Sequence, residues 1–375
     1  MKAWPVLAIV IVQSILLLAH LFIVHTWIVF FPALPPVAAR ALHVAVILLA
    51  FSFVMSALLN FRHSNWFVSV FYTLASVWLG FANYFFLGAC LTWPLWYLMR
   101  AMGSGGDPFV RPVLAGGFVA IGVLAGACGL INARKIRERR IKIQLPGLHE
   151  QWRGRRAVLM SDLHLGNINK AGFCRKIVEM VARHEPHVVF IPGDLYDGST
   201  AKLDWLIAPL KELKPQFGIF FSTGNHEEFH DPGDYLRAIR KAGIHVLSNE
   251  RVTLDGLHVM GIPYHESTFP LRVRATLARL SPGSGQTGIL LNHAPVRLPI
   301  VEQAGIALQL SGHTHGGQFF PYTWLTERIF GPYTHGLHRF GKLQVYTSTG
   351  AGTWGPPMRL GAAPEIVVLE FERAE

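Results

Sequence analysis

The feature that constrains this chain most is a set of four long apolar runs in its first third. They cover roughly residues 6–31, 41–59, 66–99 and 113–131. A helix of about 20 apolar residues crosses the hydrocarbon core of a bilayer, and three of the runs fit one crossing each. The run at 66–99 is longer. For it we predict one helix to about Leu87, followed by an interfacial stretch that is rich in Trp and Tyr and is broken at Pro94.

Charge divides the chain at the end of the fourth run. The net formal charge is +11, but the six charged residues before Asn132 are a small share of the total. They are Lys2, Arg40, Arg62, Arg100, Asp107 and Arg111. A cleavable signal peptide would account for the first run only. We therefore predict a transmembrane helical domain at residues 1–132 with about four spans, or five if the third run folds back.

The segment directly after the last run is strongly basic. It reads ARKIRERRIKI and contains six Lys or Arg and one Glu. Such clusters beside a span are retained on the cytoplasmic side, so we predict a cytoplasmic C-terminal part. The short loops do not settle the orientation, because only Arg62 among their basic residues agrees with it. We predict a linker at 133–150, and leave open whether it only sets topology or also contacts anionic head groups.

Residues 151–375 follow the pattern of an α/β domain. Short apolar runs alternate with amphipathic segments such as 172–184 and 233–242, which predicts strands that alternate with helices. Each strand-like run ends in a turn with polar residues. The five pairs of run and turn are AVLM–SDLHLG, VVFI–PGDLYDG, GIFFS–TGNHEE, GILL–NHAP and ALQL–SGHTHGG. Ligands bind beyond the carboxyl ends of strands in open α/β sheets, so we expect these turns to form one site.

The polar residues in these turns are imidazoles, carboxylates and one amide. They are Asp162, His164, Asp194, Asn225, His226, His293, His313 and His315. This mixture of donors suits Zn, Mn or Fe and contains too much nitrogen for Ca or Mg. Residues i and i+2 of an extended segment lie on the same side. We therefore expect an extended hairpin edge to present His313 and His315 to one centre, and Asp162 and His164 to face one ion together.

Seven ligands are too many for one four-coordinate ion and suit two ions that share a carboxylate. Two-metal sites stabilise the attacking and leaving oxygens of an in-line displacement. In such a site, a hydroxide that bridges the ions would attack phosphorus. The two cations and a neighbouring imidazole would stabilise the charge that builds on the phosphoryl oxygens. A serine hydrolase is not supported, because Ser222 lacks the G-x-S-x-G context.

The five blocks resemble the calcineurin-like metallophosphoesterase family. Its pattern is D-x-H, G-D, G-N-H-[DE], a single His and G-H-x-H, and all five parts occur here in that order. The resemblance covers about residues 145–374 and implies a two-sheet β-sandwich flanked by helices, as the catalytic domain at 151–375. The ending SGHTHGGQ, with the later PPMR and PEI, resembles a bacterial membrane-associated subgroup to which action on envelope lipid phosphoesters has been ascribed. A bacterial inner-membrane protein is the expectation.

The resemblance also implies a role for each polar residue. Asp162, His164 and His315 would bind the first ion, and Asp194 would bridge both. The ligands of the second ion would be Asn225, His293 and His313. His226 would not bind metal but would face the substrate, where it would stabilise the phosphoryl group or protonate the leaving oxygen. Glu227 replaces the commoner Asp at a position that is not a ligand.

The main hypothesis is a membrane-anchored, two-metal phosphohydrolase with a phosphodiesterase-like reaction. Anchoring suits a lipid-linked or nucleotide-lipid phosphoester, but it also suits a water-soluble substrate. A groove lined by Trp205, Phe217, Phe229 or Phe319 would favour lipid. The alternative is a binding or regulatory platform, without hydrolase activity, in a polytopic membrane protein. No nucleic acid partner is expected, because the excess positive charge lies in the linker rather than around the motifs. Arg359 could meet a phosphate or be solvated.

Overall fold

The computed structural model describes residues 3–105, 107–199, 202–229, 231–283 and 285–374. The chain divides into two compact units. One contains residues 1–131 together with Gly355–Met358, and the other contains Asn132–Trp354 and Arg359–Glu375.

Long apolar helices form the first unit. They are α1 (Ala3–Phe30), α2 (Pro36–Asn60), α3 (Trp66–Ala101) and α4 (Val110–Ala133). Within the described residues, these four helices are long and apolar enough to cross a membrane. The sequence-based prediction of four apolar helices is confirmed.

Helix α3 differs from the prediction, because it continues through Pro94 to Ala101 instead of ending near Leu87. Proline removes one backbone N–H and crowds the carbonyl of residue i−4. In apolar surroundings, however, a broken helix would leave several N–H and C=O groups without partners. Trp93 and Trp96 also hold the second half of the helix against Phe30, with ring centroids 5.1 and 5.7 Å apart.

Small residues let α3 and α4 approach closely. A Cβ atom at Gly126 would lie 2.3 Å from the Phe81 ring, and one at Gly122 would lie 3.0 Å from the Phe85 ring. These glycines are four residues apart and therefore lie on one face of α4. Gly-x-x-x-Gly faces are typical of packed membrane helices, where close van der Waals contact replaces the hydrophobic effect.

The second unit contains two sheets of six strands each, within the described part of the chain. The strands are β1 (Arg137–Leu145), β2 (Arg156–Leu159), β3 (Val188–Ile191), β4 (Ile219–Phe221), β5 (His245–Val246), β6 (Glu250–Leu254), β7 (Leu257–Ile262), β8 (Thr287–Asn292), β9 (Leu308–Ser311), β10 (Gly336–Phe340), β11 (Leu343–Thr347) and β12 (Glu365–Arg373). The first sheet has the order β1-β12-β2-β3-β4-β5 and the second has the order β10-β11-β9-β8-β7-β6.

Helices accompany the two sheets. They are α5 (Ala171–Ala182), α6 (Leu203–Ile207), α7 (Gly233–Lys241), α8 (Tyr264–Ser267), α9 (Pro270–Leu280), α10 (Leu298–Gln303) and α11 (Tyr322–Phe330). The predicted helices at 172–184 and 233–242 correspond to α5 and α7. All five strand-like runs are strands, with ends shifted by no more than one residue. The predicted fold class, a two-sheet sandwich flanked by helices, is confirmed.

Side chains alternate between the two faces of each strand, and this divides the apolar core into three layers. Ala157 and Leu159 of β2 face the second sheet, whereas Val158 and Met160 pack with α5, α6 and α7. In the second sheet, Leu291 faces the first sheet and Leu290 packs with α9 and α10. Successive side chains of a strand point to opposite faces, and both faces here are covered. This explains why the runs are continuously apolar rather than alternating.

The basic segment is an edge strand over most of its length. Residues Arg137–Leu145 pair in parallel with β12, although the sequence predicts a linker at 133–150. On one face of β1, Glu138 lies 2.6 Å from Arg183 and 2.7 Å from His184 at the end of α5. The parallel partner β12 lies at the far end of the sequence, so no local pattern indicated this pairing.

Trp152 provides a test of the core between the sheets. It is fully buried, donates its indole N–H to the Leu254 carbonyl at 2.7 Å and packs on Phe217 and Phe371. We predict that Trp152→Ala lowers the free energy of unfolding by about 3–5 kcal/mol, measured by chemical denaturation of the full chain in detergent. The control is Trp205→Ala, at a tryptophan that is 53% exposed, with an expected change below about 1 kcal/mol. Equal losses would contradict the described packing.

Candidate metal centre

The polar residues predicted from the sequence follow strands whose carboxyl ends meet at one edge of the sandwich. Strands β2, β3 and β4 are parallel neighbours in the first sheet, and β8 and β9 are parallel neighbours in the second. Asp162 and His164 follow β2, Asp194 follows β3, Asn225 and His226 follow β4, His293 follows β8, and His313 and His315 follow β9. The structure brings all eight side chains together.

One group of donors consists of Asp162, His164 and His315. The Nε2 atoms of the two histidines are 2.9 Å apart. Asp162 Oδ1 lies 3.6 Å from His315 Nε2 and 3.9 Å from His164 Nε2. Two ring nitrogens and a carboxylate oxygen therefore converge on one point, and this group could hold a metal ion.

A second group of donors lies beside the first. Asn225 Oδ1 is 2.9 Å from His313 Nδ1, and His293 Nε2 is 3.2 Å from Asp194 Oδ2. The ring centroids of His293 and His313 are 5.0 Å apart, and Tyr264 packs against both rings. His293 Nε2 is fully buried, and its contact with Asp194 lacks hydrogen-bond geometry, which is an arrangement that a bound cation would satisfy.

Asp194 stands between the two groups. Its Oδ2 atom is 3.7 Å from His164 Nε2 and 3.2 Å from His293 Nε2. Its Oδ1 atom accepts the backbone N–H of His226 at 3.0 Å. Asp194 also belongs to two further sets of donors that could hold an ion, one with His164 and His226 and one with Asp162 and His293.

The backbone at these residues is left-handed rather than extended. Ten described non-glycine residues have a positive φ, and five of them belong to the centre: Asp162, His164, Asp194, His313 and His315. His315 begins a short 3-10 turn. The expectation of an extended hairpin edge is therefore wrong, and the two histidines point to different donor groups. A positive φ costs on the order of 1–3 kcal/mol per residue, and such strain concentrates at functional sites.

Close approach of the backbone explains two glycines of the motifs. A Cβ atom at Gly224 would lie 2.1 Å from Asp194 Oδ1, and one at Gly312 would lie 2.1 Å from Asp162 Oδ2. Contacts below 3.0 Å force a displacement of the neighbouring atoms. Each glycine therefore leaves the room that one of the two carboxylates occupies.

His226 lies next to both groups and has a fixed orientation. Its Nδ1 is 2.9 Å from the Asp197 carbonyl, which can only accept, so Nδ1 carries a proton and Nε2 faces the centre. Nε2 is 3.9 Å from Asp194 Oδ2. Asp197 is itself fixed, because its carboxylate accepts from Ser199 and from the Asn167 backbone N–H.

Glu227 supports the centre in a way that the sequence did not indicate. Its buried carboxylate accepts the backbone N–H groups of Asp194, Tyr196 and Gly224 at 2.9–3.0 Å. It therefore joins the turn after β3 to the turn after β4. Burial and the nearby Asp194 carboxylate raise the pKa of Glu227 to about 8.

Arg359 is a second supporting residue, and it is not solvated. It is 1% exposed and donates to the His315 carbonyl at 2.8 Å and to His315 Nδ1 at 3.0 Å. It also donates to the Gly352 carbonyl at 2.5 Å. The PPMR turn gave only a weak signal for this role, because the partner turn lies 44 positions earlier in the chain.

Burial and mutual charge set the protonation of the centre. Burial raises the pKa of Asp162 to about 6. Burial also opposes ionisation of Asp194, but the imidazoles of His293 and His226 outweigh it and lower the pKa well below its usual value. Burial alone would lower the pKa of His293, yet the carboxylates of Asp194 and Asp162 raise it to about 9. The ionised carboxylates are therefore stabilised by nearby positive charge, which protons or metal ions can supply.

Comparison with known proteins assigns the sequence to a family. The model of the family described as calcineurin-like phosphoesterase matches residues 155–317, a range that contains all eight residues of the centre. A metallophosphoesterase of Campylobacter jejuni is 30% identical over 75% of this chain and 77% of its own length. The chain belongs to the calcineurin-like phosphoesterase family. The resemblance inferred from the five blocks is therefore confirmed.

Other phosphoesterase relatives differ in how much of their length is matched. A metallophosphoesterase of Helicobacter pylori is 35% identical over 57% of this chain and 59% of its own length. A Danio rerio protein named transmembrane protein with metallophosphoesterase domain is 33% identical over 73% of this chain and 65% of its own length. Together with the four apolar helices, the last relative supports a membrane protein.

Exposed aromatic residues border the phosphoesterase centre beside His226. Phe229 is 45% exposed and Trp354 is 54% exposed, with ring centroids 4.4 and 5.9 Å from that of His226. Of the four aromatics expected to line a groove, Phe229 is the one beside His226. Phe217 stacks on Trp152, Phe319 is buried against Tyr322, and Trp205 lies beside Asp204 in α6.

The role of Glu227 can be tested by truncation. We predict that Glu227→Ala lowers the free energy of unfolding by about 3 kcal/mol or more, because three buried N–H groups lose their acceptor. The measurement is chemical denaturation of the full chain in detergent. Glu212→Ala is the control, since that carboxylate is 54% exposed and pairs with the exposed Arg175, so a loss below about 1 kcal/mol is expected. A loss for Glu227→Ala no larger than for the control would show that Glu227 does not hold the two turns.

Proposed function

We propose that the chain is a membrane-anchored phosphohydrolase with two divalent metal ions, Mn, Zn or Fe. The observation that carries the proposal is the convergence of imidazoles, two carboxylates and one amide from five strand ends. The donor set fits such ions, because imidazole suits Zn and Fe, and carboxylate and carbonyl oxygens suit Mn. The buried Nε2 of His293, whose contact with Asp194 lacks hydrogen-bond geometry, supports the same conclusion.

The proposed ligands divide between the two groups. Asp162, His164 and His315 would hold one ion, and Asn225, His293 and His313 would hold the other. Asp194 would contact both, since its Oδ2 faces His164 on one side and His293 on the other. When bound, the two ions would supply Lewis acidity, which lowers the pKa of water and neutralises charge on a phosphoryl group.

His226 is proposed to act on the substrate rather than on metal. The Asp197 carbonyl fixes its Nδ1–H, so Nε2 is directed at the donor groups and lies 3.9 Å from Asp194 Oδ2. With a proton on Nε2, His226 would donate a hydrogen bond to a phosphoryl oxygen or transfer that proton to the leaving oxygen. Because two of its neighbours, His164 and Asp194, are proposed ligands, its position is compatible with a phosphate held by the ions.

The substrate proposed for this centre is a phosphoester that carries an apolar or aromatic group. Phe229 and Trp354 offer exposed ring surface beside His226, and such surface contributes binding energy through apolar burial and stacking. The four apolar helices would tether the phosphoesterase domain to a bilayer, which makes lipid-linked or nucleotide-lipid phosphoesters the favoured substrates. The proposed location is a bacterial inner membrane with the phosphoesterase domain in the cytoplasm.

The chemistry can be tested with bis(p-nitrophenyl) phosphate and the full chain in detergent, with and without Mn. We expect Mn-dependent hydrolysis. In His226→Ala we expect kcat to fall by roughly 10²–10⁴-fold with the bound metal content unchanged, whereas Asn225→Ala should lose both metal and activity. His149→Ala, at an exposed histidine outside the centre, should match the original chain.

Each outcome separates one assignment from another. Loss of metal in His226→Ala would make His226 a ligand. Full activity in both variants would remove the assignment of the centre. Absence of hydrolysis by the original chain, with and without Mn, would favour a binding platform without hydrolase activity.

The orientation can be tested by fusing a reporter to the C-terminus. The basic cluster after the last apolar helix is expected to hold this end in the cytoplasm. A green fluorescent protein fusion should therefore fluoresce in bacterial cells, whereas an alkaline phosphatase fusion, which needs the periplasm to mature, should be inactive. The reverse pair of results would place the phosphoesterase domain outside the cytoplasm.

A further inference from the structure

A cavity lies in the phosphoesterase unit, next to β1. Its volume is about 900 Å³, and its walls come from the start of β1, from α11, from the turn that leads into β10 and from residues 361–363. Pockets of about 300–1,000 Å³ accommodate organic ligands. The site proposed for hydrolysis does not include this cavity, because none of its eight side chains lines the cavity walls.

Positive charge is concentrated in the walls of this cavity. Side chains alternate between the two faces of a strand, and Lys135, Arg137 and Arg139 line the cavity while Glu138 pairs with Arg183 and His184 on the other face. Arg139 is paired with Glu365. Lys135 and Arg137 are exposed and form no ion pair with any residue that the structure describes.

The remaining walls add a buried cation, two imidazoles and one acid. Arg359 lines the cavity, and so do His335 and His338, whereas Glu327 is the acidic residue of the described lining. Arg359 Nε is fully buried and has no hydrogen-bond partner among the described residues. An unpaired donor on a buried guanidinium is costly, and an anion beside Arg359 would reduce that cost.

The chemistry of the walls selects the kind of anion. Apart from Arg139, which pairs with Glu365, three cations face the single carboxylate of the described lining, Glu327. A ligand with more than one negative charge, or with several acceptor oxygens, is therefore favoured. Guanidinium groups match the geometry of phosphate oxygens and bind them through paired hydrogen bonds. The cavity is larger than an inorganic phosphate ion, which indicates a phosphate attached to an organic group.

We propose that this cavity is a second binding site, which adjoins the metal-ligand cluster through Arg359, for an organic phosphate anion. Lys135 and Arg137 contact the phosphate from the exposed side, and Arg359 contacts it from the buried side. Two sources supply this chemistry, a soluble phosphoester and the head group of an anionic lipid. Because Lys135 is two residues past the end of α4, a lipid head group is the source that the chain order favours.

Binding can be measured without turnover, so the result is independent of the proposed hydrolase activity. The full chain in neutral detergent is freed of metal with a chelator, which removes the competing metal-bound phosphate site. Inorganic phosphate and glycerol 3-phosphate are then titrated by isothermal calorimetry. We expect saturable binding of glycerol 3-phosphate, and a weakening of about tenfold or more in the double variant Lys135→Gln/Arg137→Gln.

The matched control is the double variant Arg134→Gln/Arg140→Gln. It removes the same charge from the same segment, but neither residue lines the cavity, so affinity should stay within about twofold. Thermal melting of both variants checks that they are folded, and Arg137→Gln alone replaces the double variant if that one melts early. Equal weakening in the two double variants, or no saturable binding of either phosphate, would overturn the proposal.

Lipid nanodiscs distinguish the two sources of phosphate. If phosphatidylglycerol, compared with phosphatidylcholine alone, weakens the binding of glycerol 3-phosphate in the original chain and not in Lys135→Gln/Arg137→Gln, a lipid head group occupies the cavity. If phosphatidylglycerol has no effect while glycerol 3-phosphate binds, the ligand is soluble. Both results support an organic phosphate site.

Discussion

Two carboxylates buried at the same edge of a sandwich are the constraint on which the rest of the phosphoesterase unit depends. Asp162 and Asp194 have almost no contact with solvent, and an isolated buried carboxylate is costly unless positive charge or hydrogen bonds compensate it. The surrounding imidazoles, the backbone N–H groups of His226 and His313, and the left-handed turns all serve this compensation. Strand order brings these groups together, because parallel strands of both sheets end at one edge.

The positions of the donors were predictable, because each follows a short apolar run and carries a recognisable motif. The fold class of the domain and the convergence of the donors follow from the same signals. The local geometry was not predictable in this way: alternation suggested an extended edge for His313 and His315, whereas both residues adopt a positive φ. Periodicity describes regular strands, and it does not describe the turns that leave them, where tertiary contacts such as the bond from His313 N to Asp162 set the dihedral angles.

The residues that the sequence did not reveal act over long distances in the chain. Glu227 bonds the turn after β3, and Arg359 bonds the turn after β9. Both stand in motifs, Glu227 in G-N-H-[DE] and Arg359 in PPMR, but neither motif identifies the partner, which depends on the folded sheet. The same reason applies to α3, whose continuation through Pro94 depends on packing against Phe30 rather than on local propensity. Buried charged residues in ordinary-looking turns are therefore the features that most need a structure.

The parallel pairing of β1 with β12 has a consequence for biosynthesis. The first strand after the apolar helices can hydrogen-bond its neighbour only when β12 has left the ribosome. Until then β1 has no partner strand, and unpaired strands tend to pair with other chains. Its strongly basic side chains repel a second copy of the same strand. The charge of this segment can thereby protect an unfinished polypeptide from self-association while the ribosome completes it.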